Sequence, residues 1–445
     1  MRSPSRRRRA PYAWLLAKEW RELAVARSWW VLLAAMGPLV GMSFISSVRT
    51  YAEVSGLGGT SGGVGEALAP LIGVWAPTFS ACELAAVFLL PFVAIRVVAG
   101  DRQSGALKLE LQRGMPAFAR ISAKAMVLLA GWLLAMLPPA SALLLWKSYG
   151  GTLYPPELMA LMTGHVLNAG LTIALAAAMA SLAEHPSTAA ILTLSVTVGT
   201  WIVDFFAAIH GGLWERAASY IPSAMVWQFQ HGLVQLDTVL IAIVLIAAGL
   251  AFAAVWMRLG VAVKRRAYES IALACLAAAL VFGSSLVNVS WDFSESRDNS
   301  FPEADEELLR KLPPLRIEAH LAQEDPRRLE IERRAFSKLR RAMHNVEIRY
   351  VSNTSIGLME ESRPHYAEIW YQAQGRKTMS RVTTAEGVLE AIYDVEGVAA
   401  PSDTSEIVFR GHPLAAPPKG AATMFYILWP GAVLVSALIV RRRFR

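Results

Sequence analysis

Three ionisable side chains, Glu83, His165 and Asp204, stand inside stretches of the chain that are otherwise apolar. Such groups are costly in hydrocarbon, and where they occur they commonly line a polar path or pair with a polar neighbour. Glu83 and Asp204 are therefore candidates for a polar cavity or for pairing with a moving neighbour, and His165 is a third candidate position. The plainer alternative is that both carboxylates reach interfacial water near the ends of their stretches. Other chemistry is hard to find. There is no G-x-x-x-x-G-K-[ST] phosphate loop, no H-E-x-x-H and no C-x-x-C. His320, His344, His365 and His412 are scattered with no orienting partner in sight. The chain is expected to carry no catalytic residue, metal or cofactor and to hydrolyse no ATP itself. Cys82 and Cys275 read as small buried hydrophobes.

The elements that must position these residues are eight apolar stretches, each about long enough to cross a hydrocarbon core of ~30 Å. They are Trp29–Val48, Phe79–Val98, Lys124–Trp146, Leu158–Leu182, Thr188–Ile209, Val239–Met257, Ser270–Val289 and Met424–Val440. With the amino terminus inside, the inner segments hold Arg6 to Arg9, Lys18, Arg21, Arg27, Arg96, Arg102, Lys108, Arg113, Arg120, Lys124, Arg258, Lys264 to Arg266 and the terminal arginines. The outer segments before residue 290 hold only Arg49, Lys147 and Arg216. That asymmetry orients the bundle in a cell (inner) membrane, with a cytoplasmic amino terminus.

Hydrophobic residues make up 54% of the chain and charged residues 18%, which excludes an ordinary soluble enzyme. The net charge of +8 is unevenly spread. Residues 290–420 hold 18 basic and 22 acidic side chains, and the remainder 25 and 13. The positive part is thus loop charge facing anionic lipid headgroups rather than a nucleic-acid surface.

Residues 1–28 read as a basic tail and an amphipathic helix, Pro11 to Arg27, lying in the membrane interface. Tyr12, Leu16, Trp20 and Leu23 form its apolar face, and Lys18, Glu19, Arg21 and Glu22 the polar one. Residues 29–260 contain six spans and 261–289 a seventh. Gly56 to Gly63 is linker chemistry. The inner segment Gly100 to Lys124 predicts a short helix-turn-helix, with Leu107 and Leu111 as an apolar stripe bounded by Gly105 and Pro116. Gly170, Ala174 and Ala178 make a four-residue small seam for another helix. Pro38, Pro91, Pro138, Pro139 and Pro430 predict kinks.

Residues 290–420 form a polar domain, and 421–445 the eighth span with a basic tail. Leu315, Ile317, Ala319 and Leu321 alternate as a strand, as do Val346, Ile348 and Tyr350. Pro326 to Met343 is helical, with Leu329, Phe336, Leu339 and Met343 inward. Its arginine run, Arg327 to Arg341, reads as a solvated, salt-bridged face. A hairpin turns at Gly375 between Ile369, Tyr371 and Met379, Val382. Thr383 with Glu386 predicts a capping box opening a helix. The fold expected is an all-α polytopic bundle with a small extracytoplasmic α/β domain, with thioredoxin-like topology as one candidate for that domain.

Two sets of residues carry a family resemblance. Lys18-Glu19-Trp20-Arg21-Glu22, six spans, and Asp101-Arg102-Gln103-Ser104-Gly105-Ala106-Leu107 followed by Pro116, Arg120 and Lys124 resemble the permease subunit of type-2 ABC exporters. That family's loop reads like E-x-E-x-G-T-L-E; here Asp101, Gln103 and Lys108 replace the acids. Trp291-Asp292-Phe293-Ser294-Glu295 with Asn299-Ser300-Phe301 resembles the outer domain of gliding-motility-type ABC accessory proteins. The resemblance implies a permease fused to an accessory subunit. It also implies an ATP-binding partner docked on the Asp101–Lys124 loop, a homodimer or a heterodimer with a similar permease, and export of a substrate. A non-transporting complex that delivers ATP-driven motion to the outer domain, or to an extracytoplasmic partner, is the alternative.

Overall fold

The computed structural model of the chain describes residues 5–58, 68–103, 115–210, 214, 218–258, 260–322, 325–343, 345–351, 365–401 and 409–443. Among them, eight helices are long and apolar enough to cross a membrane, which is consistent with a multi-pass membrane protein. They are Arg27–Gly56, Leu71–Gly100, Ala117–Ser148, Pro155–Leu182, Pro186–Ala207, Leu236–Trp256, Val263–Ser284 and Ala421–Arg443, called here the first to eighth spans. Contacts divide the chain into two units: residues 1–200, 222–289 and 410–445, and residues 201–221 with 290–409.

In the first unit, α1 (Ser5–Val25) precedes the first span and stops at Ala26, whose N–H bonds Leu23 O at 3.0 Å. The second span opens with a π turn at Leu71–Trp75 and breaks at Leu89, just before Pro91. The third breaks at Met136, before Pro138 and Pro139. Proline lacks the N–H that an unbroken helix would use there. Pro38, by contrast, lies within the continuous helix Arg27–Gly58. A short helix, α2 (Pro222–Gln230), precedes the sixth span.

Burial differs sharply between spans. Two thirds of the second span's apolar window is inside (67%), whereas the seventh has no buried residue. Cys82, on the second, is buried; Cys275, on the seventh, is exposed, which corrects its reading as a buried hydrophobe.

Small residues set two of the closest helix contacts. A Cβ on Gly170 would come within 2.8 Å of Ile246 Cδ1, and one on Gly249 within 3.1 Å of Ala174 Cβ. The sixth span thus lies in the seam of Gly170 and Ala174. The eighth span lies in a second notch, Gly37 and Gly41 of the first. A Cβ on Gly37 would stand 2.3 Å from Trp429 Cδ1, and one on Gly41 2.4 Å from Phe425 Cβ. Trp429 Nε1 donates to Leu33 O at 2.7 Å beside that notch.

The second unit contains a four-stranded sheet of β1 (Leu315–Ala319), β2 (Val346–Tyr350), β3 (Ile369–Ala373) and β4 (Arg376–Ser380), in the order β2-β1-β3-β4. β1 and β2 are parallel; β1 with β3, and β3 with β4, are antiparallel. Its helices are α3 (Glu303–Leu309), α4 (Pro326–Ile331), α5 (Ser337–Ala342) and α6 (Ala385–Glu396), with a π turn at Glu332–Phe336 between α4 and α5. Alternation puts Leu315, Ile317, Ala319, Ile369 and Tyr371 on one face, buried against Phe336, Leu339, Val388 and Ile392.

Two local expectations shift. Leu329 is 55% exposed, and the inward stripe continues through Ala335 and Ile331, because the π turn changes the helix's phase. The α6 cap is Thr384, not Thr383: Thr384 Oγ1 accepts from Gly387 N at 3.3 Å, while Thr383 Oγ1 lies 3.5 Å from Glu330. The run from Trp291 to Phe301 is organised by Asp292. Its carboxylate accepts from Ser294 N (3.0 Å) and Oγ (2.5 Å), Asn299 N (2.9 Å) and Nδ2 (3.2 Å), and Ser300 Oγ (2.9 Å). From α5, Arg341 donates to Asn299 O and Lys338 to Ser300 O. Two cations of the expected solvated face are therefore spent on holding this loop.

Candidate coupling junction and intramembrane polar site

Helix α1 turns inward a face that shares only Leu23 with the apolar face expected from its sequence. Leu15, Glu19 and Leu23, at four-residue spacing, are each 1% exposed, while Trp20 is 38% exposed. Glu19, expected on the polar face, is buried because it has a cation to meet. Lys124 Nζ lies 2.7 Å from Glu19 Oε2 and donates to Val97 O at 3.2 Å. Lys18 Nζ approaches the other carboxylate oxygen at 3.2 Å. The third span begins at Ala117, so Lys124 stands two turns inside it rather than at its end. Gly131 leaves room for this docking, since a Cβ there would meet Leu23 Cδ2 at 2.8 Å and Trp29 Nε1 at 3.1 Å.

One ion pair therefore joins three elements: α1, the last turns of the second span and the first turns of the third. Buried charges hold only when paired and hydrogen-bonded, and removing one partner typically costs about 3–5 kcal/mol. Arg120 lies one turn before Lys124, is buried, and its Nη1 has no hydrogen-bond partner among the described residues. Pro116 stands just before the third span's first helix, at its N-cap. Asp101, Arg102 and Gln103 continue the helix Leu90–Gln103, although their side chains are not among those described. Gly105 and Leu107, and with them the expected helix-turn-helix, lie outside the described residues. Arg21, Glu22, Val25 and Ala26 of α1 and Arg96, Val97 and Gly100 of the second span border a cavity of about 390 Å³. Lys18 pairs with Glu22 at 3.2 Å.

The intramembrane candidates come together only in part. The second span starts at Leu71, not Phe79, so Glu83 stands near its middle rather than by an end. Its carboxyl is half-buried and has no hydrogen bond or ion pair among the described residues. One turn earlier on the same face, Phe79 packs on His165, with ring centroids 5.4 Å apart. His165 is 1% exposed, and its Nε2 stands 3.4 Å from Gln230 Nε2 of α2. Asn168, on the same helix face, is equally buried. Among the described residues neither His165 Nδ1 nor Asn168 Nδ2 has a hydrogen-bond partner. Asp204 lies on the helix Pro186–His210, and its side chain is outside those described.

Sequence reasoning missed Asn168 and Gln230, although Asn168 stands three residues after His165 and the spacing was open to view. In the second unit, His365 does have a partner: Nδ1 meets Glu368 Oε2 at 2.8 Å, and Glu368 also pairs with Arg381 at 3.0 Å. Among the described residues no group of His, Cys, Asp and Glu could hold a metal ion. Comparison with family models, with curated protein sequences and with solved structures finds no match in any of the three.

Proposed function

We propose that this chain is the membrane-spanning permease subunit of an ATP-driven ABC export complex, with ATP hydrolysed by a separate subunit. The observation that carries the reading is the Lys124 junction. The lysine that follows the loop resembling the ABC-exporter motif is tied to Glu19 of the interfacial helix and to Val97 O, near the loop's other root. A displacement of residues 104–114 by a docked ATP-binding subunit would be passed at once to α1 and to the second and third spans. In this reading the Arg-rich segments face the cytoplasm, residues 290–420 lie outside the cell (inner) membrane, and two such bundles pair, as a homodimer or with a similar permease. The β2-β1-β3-β4 order, with its one parallel pair, supports a thioredoxin-like core for the outer domain.

The test is co-purification of the chain with an ATP-binding subunit encoded beside it, followed by ATP-dependent accumulation of candidate substrates in inverted vesicles. No nucleotide-dependent association would discard the reading. Glu83→Gln and Asp204→Asn are expected to lower flux at unchanged expression; wild-type flux in both would remove them from the transport path. A second reading, a non-transporting complex that delivers motion to the outer domain, is favoured by one observation: residues 290–409 have their own apolar core and their own cleft. ATP turnover without vesicle accumulation would select it.

A further inference from the structure

The second unit holds a cleft of about 980 Å³ whose walls include the segment Ser296–Pro302, one side of α6, and Thr378, Met379 and Ser380 of β4. Successive side chains of a strand point to opposite faces, so a cleft that touches three in a row reaches the strand's edge. β4 is an edge strand of the four-stranded sheet.

The register says which backbone groups that edge offers. The β3–β4 hairpin turns through Gln374 and Gly375, both with positive φ (50° and 81°), as a two-residue turn of the primed type requires. Ala373 and Arg376 then form the hydrogen-bonded pair beside the turn, and Thr378 with Tyr371 and Ser380 with Ile369 follow in alternation. Lys377 and Met379 are left with N–H and C=O pointing away from β3. Lys377, a residue type that often guards such edges, instead has its ammonium 4.2 Å over the Trp370 ring. Met379 is 43% exposed.

The chemistry of the walls narrows the occupant. Along α6, Glu386, Glu390 and Asp394 recur every four residues and all face solvent at the cleft. Asp394 accepts from Thr378 Oγ1 and Glu386 lies within electrostatic range of Lys338, itself on the cleft wall and engaged with Ser300 O, while among the described residues neither Glu386 nor Glu390 has an ion pair or hydrogen bond. Phe301, Val382 and Leu389 supply apolar lining.

We propose that this cleft receives an extended, lysine- or arginine-bearing segment of a partner polypeptide, which adds a strand to β4 at Lys377 and Met379 and sets basic side chains against Glu386 and Glu390. This is independent of the transport reading, since it needs neither nucleotide nor a second membrane subunit. The probe is a fluorescein-labelled peptide of alternating lysine and valine, titrated by anisotropy against the full chain in a non-ionic detergent. A glutamate–valine peptide and a lysine–glycine peptide of equal charge and low strand propensity serve as comparisons.

The lysine–valine peptide is expected to bind at least about tenfold more tightly than either. Met379→Pro removes an N–H that faces the edge and none that faces β3, so the hairpin persists while peptide affinity falls at least about tenfold. Glu386→Gln with Glu390→Gln, on an exposed helix face, should weaken binding about fivefold and flatten its salt dependence. Equal binding of the lysine–glycine peptide, or no effect of Met379→Pro, would reduce the cleft to a charged surface and overturn the proposal. Self-association of the chain that Met379→Pro abolishes would also overturn it, by making the occupant a second copy.

Discussion

The Lys124 junction and the arginine-rich helix of the second unit both rely on ion pairs, yet they use them oppositely. Glu19 and Lys124 are shut away from solvent at 1% and 2% side-chain exposure. Around α4 and α5, pairs such as Arg334–Glu330, at 65% and 41% exposure, stand in solvent. The first geometry makes a single pair indispensable to how three helices meet; the second spreads many weak pairs over a surface where each is worth little. Between the two lies Asp292, whose carboxylate is enclosed by donors of its own loop.

The largest expected effect follows from the buried pair. Lys124→Ala should cost about 3 kcal/mol, read as a loss of thermal stability in detergent, because the buried Glu19 carboxylate loses its closest cation and keeps Lys18 at 3.2 Å. The double variant Glu19→Met, Lys124→Met should recover most of that loss; a double as unstable as the single would break the comparison. Next, Asp292→Ala should destabilise the second unit by about 2–3 kcal/mol, since five donors lose one acceptor group, and protease accessibility near Trp291 would report it. Arg334→Ala should change stability by no more than about 0.5 kcal/mol, and a larger loss would show that the exposed pairs act as a network.

The smallest effect concerns pH. Burial pushes the Asp325 carboxyl up, but hydrogen bonds from Arg327 and Tyr366 outweigh it and hold the group below the usual carboxylate range. A depressed folded-state pKa gives stability that is fully present above the unfolded value, about 3.9, and is lost as pH falls through the folded one. Tyr366→Phe removes one of those donors, at 2.6 Å, so the acid-unfolding midpoint of the second unit should move slightly upward in pH.

The sequence showed the eight spans, most of the strands and the Gly170–Ala174 seam because each rests on a local period. It did not show what depends on partners distant in the chain. Glu19 looked like a solvent residue because its own helix offers a cleaner apolar face at Tyr12, Leu16 and Trp20. Only the third span, 105 residues away, explains why it turns inward. Apolar content alone starts the third span at Lys124, whereas the helix begins two turns earlier at Ala117. Glu83 lies deeper than expected because the π turn at Leu71–Trp75 starts the second span two turns before Phe79. The Gly37 and Gly41 notch went unread, because nothing local names Phe425 and Trp429 as its occupants.

That notch bears on the order in which the molecule is completed. Trp429 reaches Leu33 across 396 residues of sequence, so the first span must wait for the eighth before its recess is filled. Until Phe425 arrives, the recess that Gly37 and Gly41 leave in the first span lacks the side chain that fills it. Docking of the eighth span on the first is thus expected to be a late lateral step, because the two helices that meet there lie so far apart in sequence.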